Sequence, residues 1–210
     1  MNIAVIAANG RSGQAFVEAA LAAGHTVRGG VLGKNFLRPH PGLTVVRCDA
    51  TKQGDLKALL AGQDAVVSLI GHVKGSPPDV QTVAIQNIAS VMESLGVRRL
   101  VSLTGTGVRF PGDKVTLLDR LLNLAVMLVD PARVKDGRKH VEVLTRSNLD
   151  WTVVRVLKLQ DVPPAPFSLT EHGPTKPYVG RVEVAQAILQ VLESNGFIRQ
   201  APIISKAGRV

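Results

Sequence analysis

Short apolar runs alternate along the chain with segments of helical periodicity. Asn2-Ile3-Ala4-Val5-Ile6-Ala7 has strand length and breaks at Ala8-Asn9-Gly10-Arg11-Ser12-Gly13. Gln14 to Leu21 then reads as a helix ending at Gly24. His25 to Leu32 predicts a second strand, weakened by Gly29 and Gly30, and Leu43 to Cys48 a better third one closed by Asp49. Asp55 to Leu60 makes a short helix. Ala65 to Gly71 is almost wholly apolar, as expected of a parallel strand covered on both faces.

Pro77-Pro78-Asp79 opens the next helix, which puts Val80, Ala84, Ile88, Val91, Met92 and Leu95 on one face before a stop at Gly96. Leu100 to Thr104 is another buried strand, ending in Gly105-Thr106-Gly107. Lys114 to Val129 predicts a very apolar helix, and Asp130-Pro131 caps and starts a second helix running to about Thr145. Trp151 to Val156 is the sixth strand. Gln160 to Lys176 is proline-rich and irregular, within a loop at about 158–178 that has the length and placement of a substrate-pocket wall. Arg181 to Ser194 is a helix with Val184, Ile188, Val191 and Leu192 facing inward, and Ala201 to Ser205 reads as a last, edge strand. Strands alternating with helices throughout predict an α/β fold, a parallel doubly wound sheet with helices on both faces. No repeat or internal boundary interrupts it, so 1–210 reads as a single domain.

With 45% hydrophobic and 20% charged residues in 210, the chain is long enough and apolar enough for one buried core. The longest apolar stretch, Leu121 to Val129, is interrupted by Asn123 and is too short to span a bilayer, and Met1 leads into a strand without a basic segment. No membrane partner and a cytoplasmic location are therefore expected; the single cysteine, Cys48, excludes an internal disulfide and reads as an inert core residue. The net charge is +9, with a cluster at Arg133, Lys135, Arg138 and Lys139 that reads as solvated surface. With 3% aromatics there is little to stack bases on, so no nucleic-acid partner is expected. The five histidines show no metal-binding spacing, and no metal is expected. His72 reads as a pocket-wall residue, while His140 and Lys139 read as surface residues before proton donors.

The chemistry concentrates in the first turn. A buried strand, a turn of small residues and a helix N-terminus together form an anion site, where unpaired N–H groups and the helix dipole converge. Gly10 lets the backbone approach a pyrophosphate, and Gly13 lets the helix pack close to the strand. The pattern departs from G-x-x-G-x-x-G at its first position, Ala7. Alanine is tolerable there on the expectation of a negative φ. A branched side chain at Gly13 is expected to abolish dinucleotide binding with the fold retained.

N-I-A-V-I-A-A-N-G-R-S-G resembles the I-x-I-x-G-A-T-G-x-x-G opening of atypical short-chain dehydrogenase/reductases. Nearest within that group are the biliverdin-IXβ reductase/flavin reductase proteins and NAD(P)H-binding proteins similar to nitrogen-metabolite repressors. A-G-Q-D-A-V-V-S-L-I-G (61–71), G-V-R-R-L-V-S-L-T (96–104), L-D-W-T-V-V-R (149–155) and V-E-V-A-Q-A-I (182–188) follow in the right order. None is specific alone; the ordered set covers most of the chain.

The resemblance implies a Rossmann fold of strand order 3-2-1-4-5-6-7 with a dinucleotide across its C-terminal edge. It assigns Ala7, Asn9, Gly10, Arg11, Ser12 and Gly13 to the pyrophosphate turn. Asp49, with Ala50 beside it, matches the position that meets the adenine amino group. Ile70 and Gly71 match the turn under ribose and nicotinamide, Thr104 the end of strand five, and Val156 and Leu157 the turn holding the carboxamide. Y-x-x-x-K, the usual proton-transfer motif, is missing: the one tyrosine is Tyr178, and the strand-five serine is replaced by Gly105. An alcohol dehydrogenase mechanism is thereby disfavoured.

What fits is an NAD(P)H-dependent oxidoreductase passing hydride to a flavin, quinone or similar conjugated acceptor, with Thr104 orienting the reactants. The alternative is a catalytically silent NAD(P)-binding protein that senses redox state or binds a partner. The end of strand two, Val31-Leu32-Gly33-Lys34-Asn35, carries no carboxylate to repel a 2′-phosphate. Arg11 and Lys34 are the cations at hand, so NADP(H) is favoured over NAD(H). The apolar helix 117–129 is either covered by a second copy or buried against the sheet, which leaves monomer and homodimer both open.

Overall fold

The computed structural model describes residues 1–207. In chain order its elements are β1 (Asn2–Ile6), α1 (Arg11–Ala22), β2 (Thr26–Val31), β3 (Leu43–Arg47), α2 (Gln53–Leu60), β4 (Ala65–Ser68), α3 (Val80–Leu95) and β5 (Arg99–Gly105). Then follow α4 (Leu117–Val129), α5 (Pro131–Arg146), β6 (Asp150–Val156), β7 (Leu159–Gln160), β8 (Phe167–Thr170), β9 (Val179–Gly180), α6 (Arg181–Glu193) and β10 (Ile203–Lys206). The main sheet has the order β3-β2-β1-β4-β5-β6-β10-β8. Counting β10 as the seventh strand, this is the expected 3-2-1-4-5-6-7 doubly wound arrangement.

Parallel register brings Ile6 level with both Gly30 and Ser68, and Ser102 level with both Ser68 and Val153. The C-terminal ends of β1, β4, β5 and β6 therefore form one edge. The central strands are apolar on both sides because both faces are covered. Ile3, Val5, Phe16, Val101, Val154 and Ile188 belong to the core under α1 and α6; Ala4, Ile88, Met92, Leu100, Leu144 and Trp151 belong to the core under α2, α3 and α5. Gly30 is where a side chain would not fit, since a Cβ there would lie 2.6 Å from Leu59 Cδ2. Of the two glycines that looked like a weakness of β2, Gly30 is what lets α2 close on it.

Three readings of the sequence change. The proline-rich stretch is not wholly irregular: β7 pairs in parallel with β9, and β8 pairs antiparallel with β10. β10 is consequently an interior strand, and β8 is the edge. Leu95, placed inward by periodicity, is exposed because α3 ends at Gly96, in the left-handed region at φ +70, and its last turn has run past the sheet. Among the described residues, the helix α4 is neither buried against the sheet nor paired with another element along its apolar face. Leu117, Leu121, Leu128 and Val129 are all exposed, and Asp119 is its one buried residue. Among the described residues no helix is long and apolar enough to cross a membrane.

Candidate functional site

The β1–α1 turn is built around a close approach. Gly10 N–H donates to Ala7 O at 3.0 Å, and Gly10 O accepts from Gln14 N–H at 2.8 Å to begin α1. No side chain caps this helix and its first turn holds no acid, so the leading N–H groups, around Arg11, Ser12 and Gly13, face the sheet edge without protein acceptors. Gly13 is buried against the strand end: a Cβ there would lie 2.2 Å from Ala7 O and 2.7 Å from Ala8 C. This narrow cradle with free donors fits a pyrophosphate. The expected conformation of Ala7 is overturned, since its φ is +59. The turn demands the left-handed region at this position regardless of residue, and alanine occupies it at a cost of about 1–2 kcal/mol. Because the obstruction at Gly13 is backbone, a branched side chain there would also strain β1 itself, contrary to the expectation that the fold would be untouched.

Asn9 is a brace. Its Nδ2 donates to Lys34 O at 2.5 Å, and its Oδ1 accepts from Phe36 N–H at 2.7 Å. It thus ties the stretch after β2 to the glycine turn and sets Lys34 beside the mouth, with Lys34 Nζ 5.6 Å from the Phe36 ring centre. Arg11 is exposed, its guanidinium 3.4 Å from Asp161 Oδ2, while Arg181 at the start of α6 holds the other oxygen of Asp161 at 2.5 Å. Asp161 therefore sits between two arginines beside the first turn of α1. Nothing in the sequence singled it out, because the three residues meet only once α1, α6 and the pocket loop are packed together.

Asp49 ends the segment after β3 with its Oδ1 accepting from Thr51 Oγ1 at 2.7 Å and Thr51 N–H at 3.0 Å. The Thr51 hydroxyl, then its N–H, hold the Asp49 carboxyl below its ordinary value. Ala50 is half-buried against the core, and its carbonyl accepts from Asn87 Nδ2 at 3.3 Å. Cys48, just past β3, is buried; burial, then the Asp55 and Asp49 carboxylates, push its thiol up to about 11, which leaves it unreactive at neutral pH. At the ends of the other strands, Ile70 is half-buried and Gly71 exposed, Val156 is buried and Leu157 half-buried. Just beyond them Lys158 Nζ lies 5.2 Å from the ring centre of Tyr178.

Under this edge lies a buried polar network. Asp136, in α5, accepts from Gln81 N–H at 2.8 Å, Thr82 N–H at 2.9 Å and the Thr82 hydroxyl, capping α3 from a neighbouring helix. His72 Nε2, just past the end of β4, is 2.9 Å from Asp136 Oδ2. Burial opposes ionisation of Asp136, but the bonds from Thr82, Gln81 and His72 outweigh it and hold the carboxyl below its ordinary range. Thr104 is 7% exposed, with its hydroxyl against α5 where the facing residue is Gly137; a Cβ there would lie 2.9 Å from Thr104 Oγ1.

His140 is corrected from a surface residue to a core residue. Its Nε2 is 3.0 Å from Ser102 Oγ, its Nδ1 has no partner, and burial, slightly countered by Asp136, lowers its pKa to about 4. Lys139 and the other cations of the cluster are exposed, as anticipated. Among the described residues no cluster of potential metal ligands occurs.

A family model described as NAD(P)H-binding matches residues 7–195. The chain belongs to this NAD(P)H-binding family. Solved structures agree on the fold. A short-chain dehydrogenase/reductase from Veillonella parvula, solved in complex with NADP, has a TM-score of 0.83 at 19% identity, covering 99% of this chain and 95% of that one. A protein from Streptococcus pneumoniae described as a "putative NADH-flavin reductase" has a TM-score of 0.79 at 20% identity, covering 99% and 100%. An oxidoreductase from Lactococcus lactis gives 0.83 at 14% identity, covering 100% and 93%. Comparison with curated proteins finds no match.

Proposed function

We propose that this protein is an NAD(P)H-dependent reductase that passes hydride to a conjugated acceptor such as a flavin or quinone. The observation that carries the proposal is Gly137 opposite Thr104: where an acid on α5 would serve a carbonyl substrate, the helix presents no side chain. A bound nicotinamide supplies the hydride. An acceptor whose reduced anion is delocalised takes its proton from water, so the protein's task is to bind, align and shield. In this reading the α1 cradle holds the pyrophosphate, Asp49 and Ala50 border the adenine, and Ile70, Gly71, Val156 and Leu157 line the ribose and nicotinamide. Thr104 orients the reactants. Arg11 and Lys34 favour NADP(H), since β2 ends without a carboxylate and a charge-assisted contact to phosphate contributes on the order of 1.5–3 kcal/mol.

The test is NADPH oxidation by purified protein with FMN and with a soluble quinone, alongside NADPH and NADH titrations. Turnover with either acceptor and tighter binding of NADPH are expected. Clear NADPH binding without turnover would replace this reading with a silent dinucleotide-binding protein that senses redox state or serves a partner. Equal affinities for NADPH and NADH would remove the cofactor preference.

A further inference from the structure

The helix α4 is built inside out. Asp119 and Asn123 point into the protein: Asp119 Oδ1 accepts from Thr106 Oγ1 at 2.7 Å and from Asn123 Nδ2 at 2.7 Å, and Asp119 Oδ2 pairs with Arg109. Its apolar side chains point out. Leu117, Leu118, Leu121, Leu124, Val126, Met127, Leu128 and Val129 are all exposed, the last two 76% and 86%. A contiguous apolar face of this kind on a folded protein marks a contact surface.

Charge decides what covers it. The chain carries +9, the face is bordered by exposed Lys114 and Arg120, and α5 continues from it with exposed Arg133, Lys135, Arg138 and Lys139. The acid nearest the helix end, Asp130, is already paired with Arg133 at 3.2 Å. A second copy would bring the same positive field against itself, whereas an anionic lipid surface offers both hydrocarbon and neutralising charge. Thirteen residues make a helix of about 20 Å, short of the ~30 Å hydrocarbon core, so the helix lies along a bilayer rather than across it.

We propose that α4 is an interfacial helix that seats the protein on an anionic membrane, its apolar face in the boundary between headgroups and acyl chains. It departs from the expectation of no membrane partner, which weighed a spanning segment and a basic leader but not a helix lying along the bilayer. Its consequence for substrate follows from where α4 is tied. Thr106 lies just past the end of β5, so the bilayer surface adjoins the reactive edge, and a lipid-soluble quinone fits the site better than a free flavin. That choice of acceptor rests on the reductase reading above; the membrane seat does not.

Vesicle flotation tests the seat. Wild-type protein is expected to float with phosphatidylcholine vesicles containing phosphatidylglycerol, to float poorly with phosphatidylcholine alone, and to be released by salt. Leu124→Glu with Leu128→Glu, both on the exposed face, should weaken binding at least about tenfold with the circular dichroism spectrum unchanged. Lys135→Glu with Arg138→Glu should weaken it on anionic vesicles selectively. Absence of flotation, equal binding to neutral and anionic vesicles, or retained binding in the leucine variant would each overturn the proposal. So would a wild-type dimer in sedimentation that the leucine variant dissociates, which would give the face to a second copy. NADPH oxidation by unbound protein reports separately on the reductase reading.

Discussion

Gly13 sits directly beneath the carbonyl of Ala7, so that a single added carbon on the glycine would lie 2.2 Å from that oxygen. In the proposed reading the contact links cofactor binding to the strand. Gly13→Ala is expected to push the first turn of α1 away from β1, at about 1–3 kcal/mol of stability. The same shift misaims the N–H groups, so NADPH affinity should fall by more than tenfold. Urea unfolding and fluorescence titration read the two effects. A variant with wild-type midpoint and affinity would mean the cradle is looser than described.

Ala7 invites the opposite change. At φ +59 it pays the left-handed penalty that glycine avoids. Ala7→Gly is expected to gain about 0.5–1 kcal/mol, the relief of strain exceeding the added freedom of the unfolded chain. A higher urea midpoint at unchanged slope is the expected result. A lower midpoint would show that the turn relaxes around the alanine at little cost.

His140 sets a pH dependence. Its pKa is about 4 in the folded protein against 6.5 ordinarily, so between those values the unfolded chain binds more protons. Stability contributed by the neutral imidazole is therefore complete above about pH 6.5 and is lost as pH falls toward 4. The loss is on the order of 3 kcal/mol for a shift of this size. His140→Gln should flatten the stability profile in that window, whatever it does to stability at neutral pH. Parallel profiles for variant and wild type between pH 4 and 6.5 would contradict the assignment.

In the proposed reading, Asp161 competes with the cofactor for Arg11. Asp161→Asn should release that guanidinium and raise NADPH affinity by up to about fivefold, the range of an exposed ion pair. NADH affinity should not change, and Arg11→Ala in the same background should cancel the gain. An unchanged ratio of NADPH to NADH affinity in the single variant would show that Arg11 does not reach the 2′-phosphate.

Much of this architecture was legible because it follows from local patterns. The glycine turn, the two-sided apolar strands β4 and β5 and the Asp130-Pro131 start of α5 all declare themselves within a few residues. The same logic failed where a partner distant in sequence decides. The apolar run of α4 suggested burial, yet Asp119 and Asn123 find Thr106 and Arg109 and turn the helix over. β8 hides among prolines because an edge strand needs only its neighbour, β10, to form. For His140 a signal existed: Gly137, His140, Val141 and Leu144 share the buried face of α5 at helical spacing. A polar residue in that stripe was read by its chemistry rather than by its position.

The pairings of β7 and β8 have one more consequence. The pocket loop is fastened to the fold at 159–160 through β9 and at 167–170 through β10, leaving 161–166 as the free span. Three of those six residues are Pro163, Pro164 and Pro166, whose rings fix φ, and Ala165 N–H is held by Glu183 Oε1 at 3.0 Å. The free span is thus a short, stiff, separately mounted piece. In the proposed reading, exchanging 162–166 for a segment of another length or shape, with Asp161 kept between Arg11 and Arg181, would alter which acceptors fit while leaving the sheet and the cradle as they are, and that makes it the natural cassette for redesigning acceptor range.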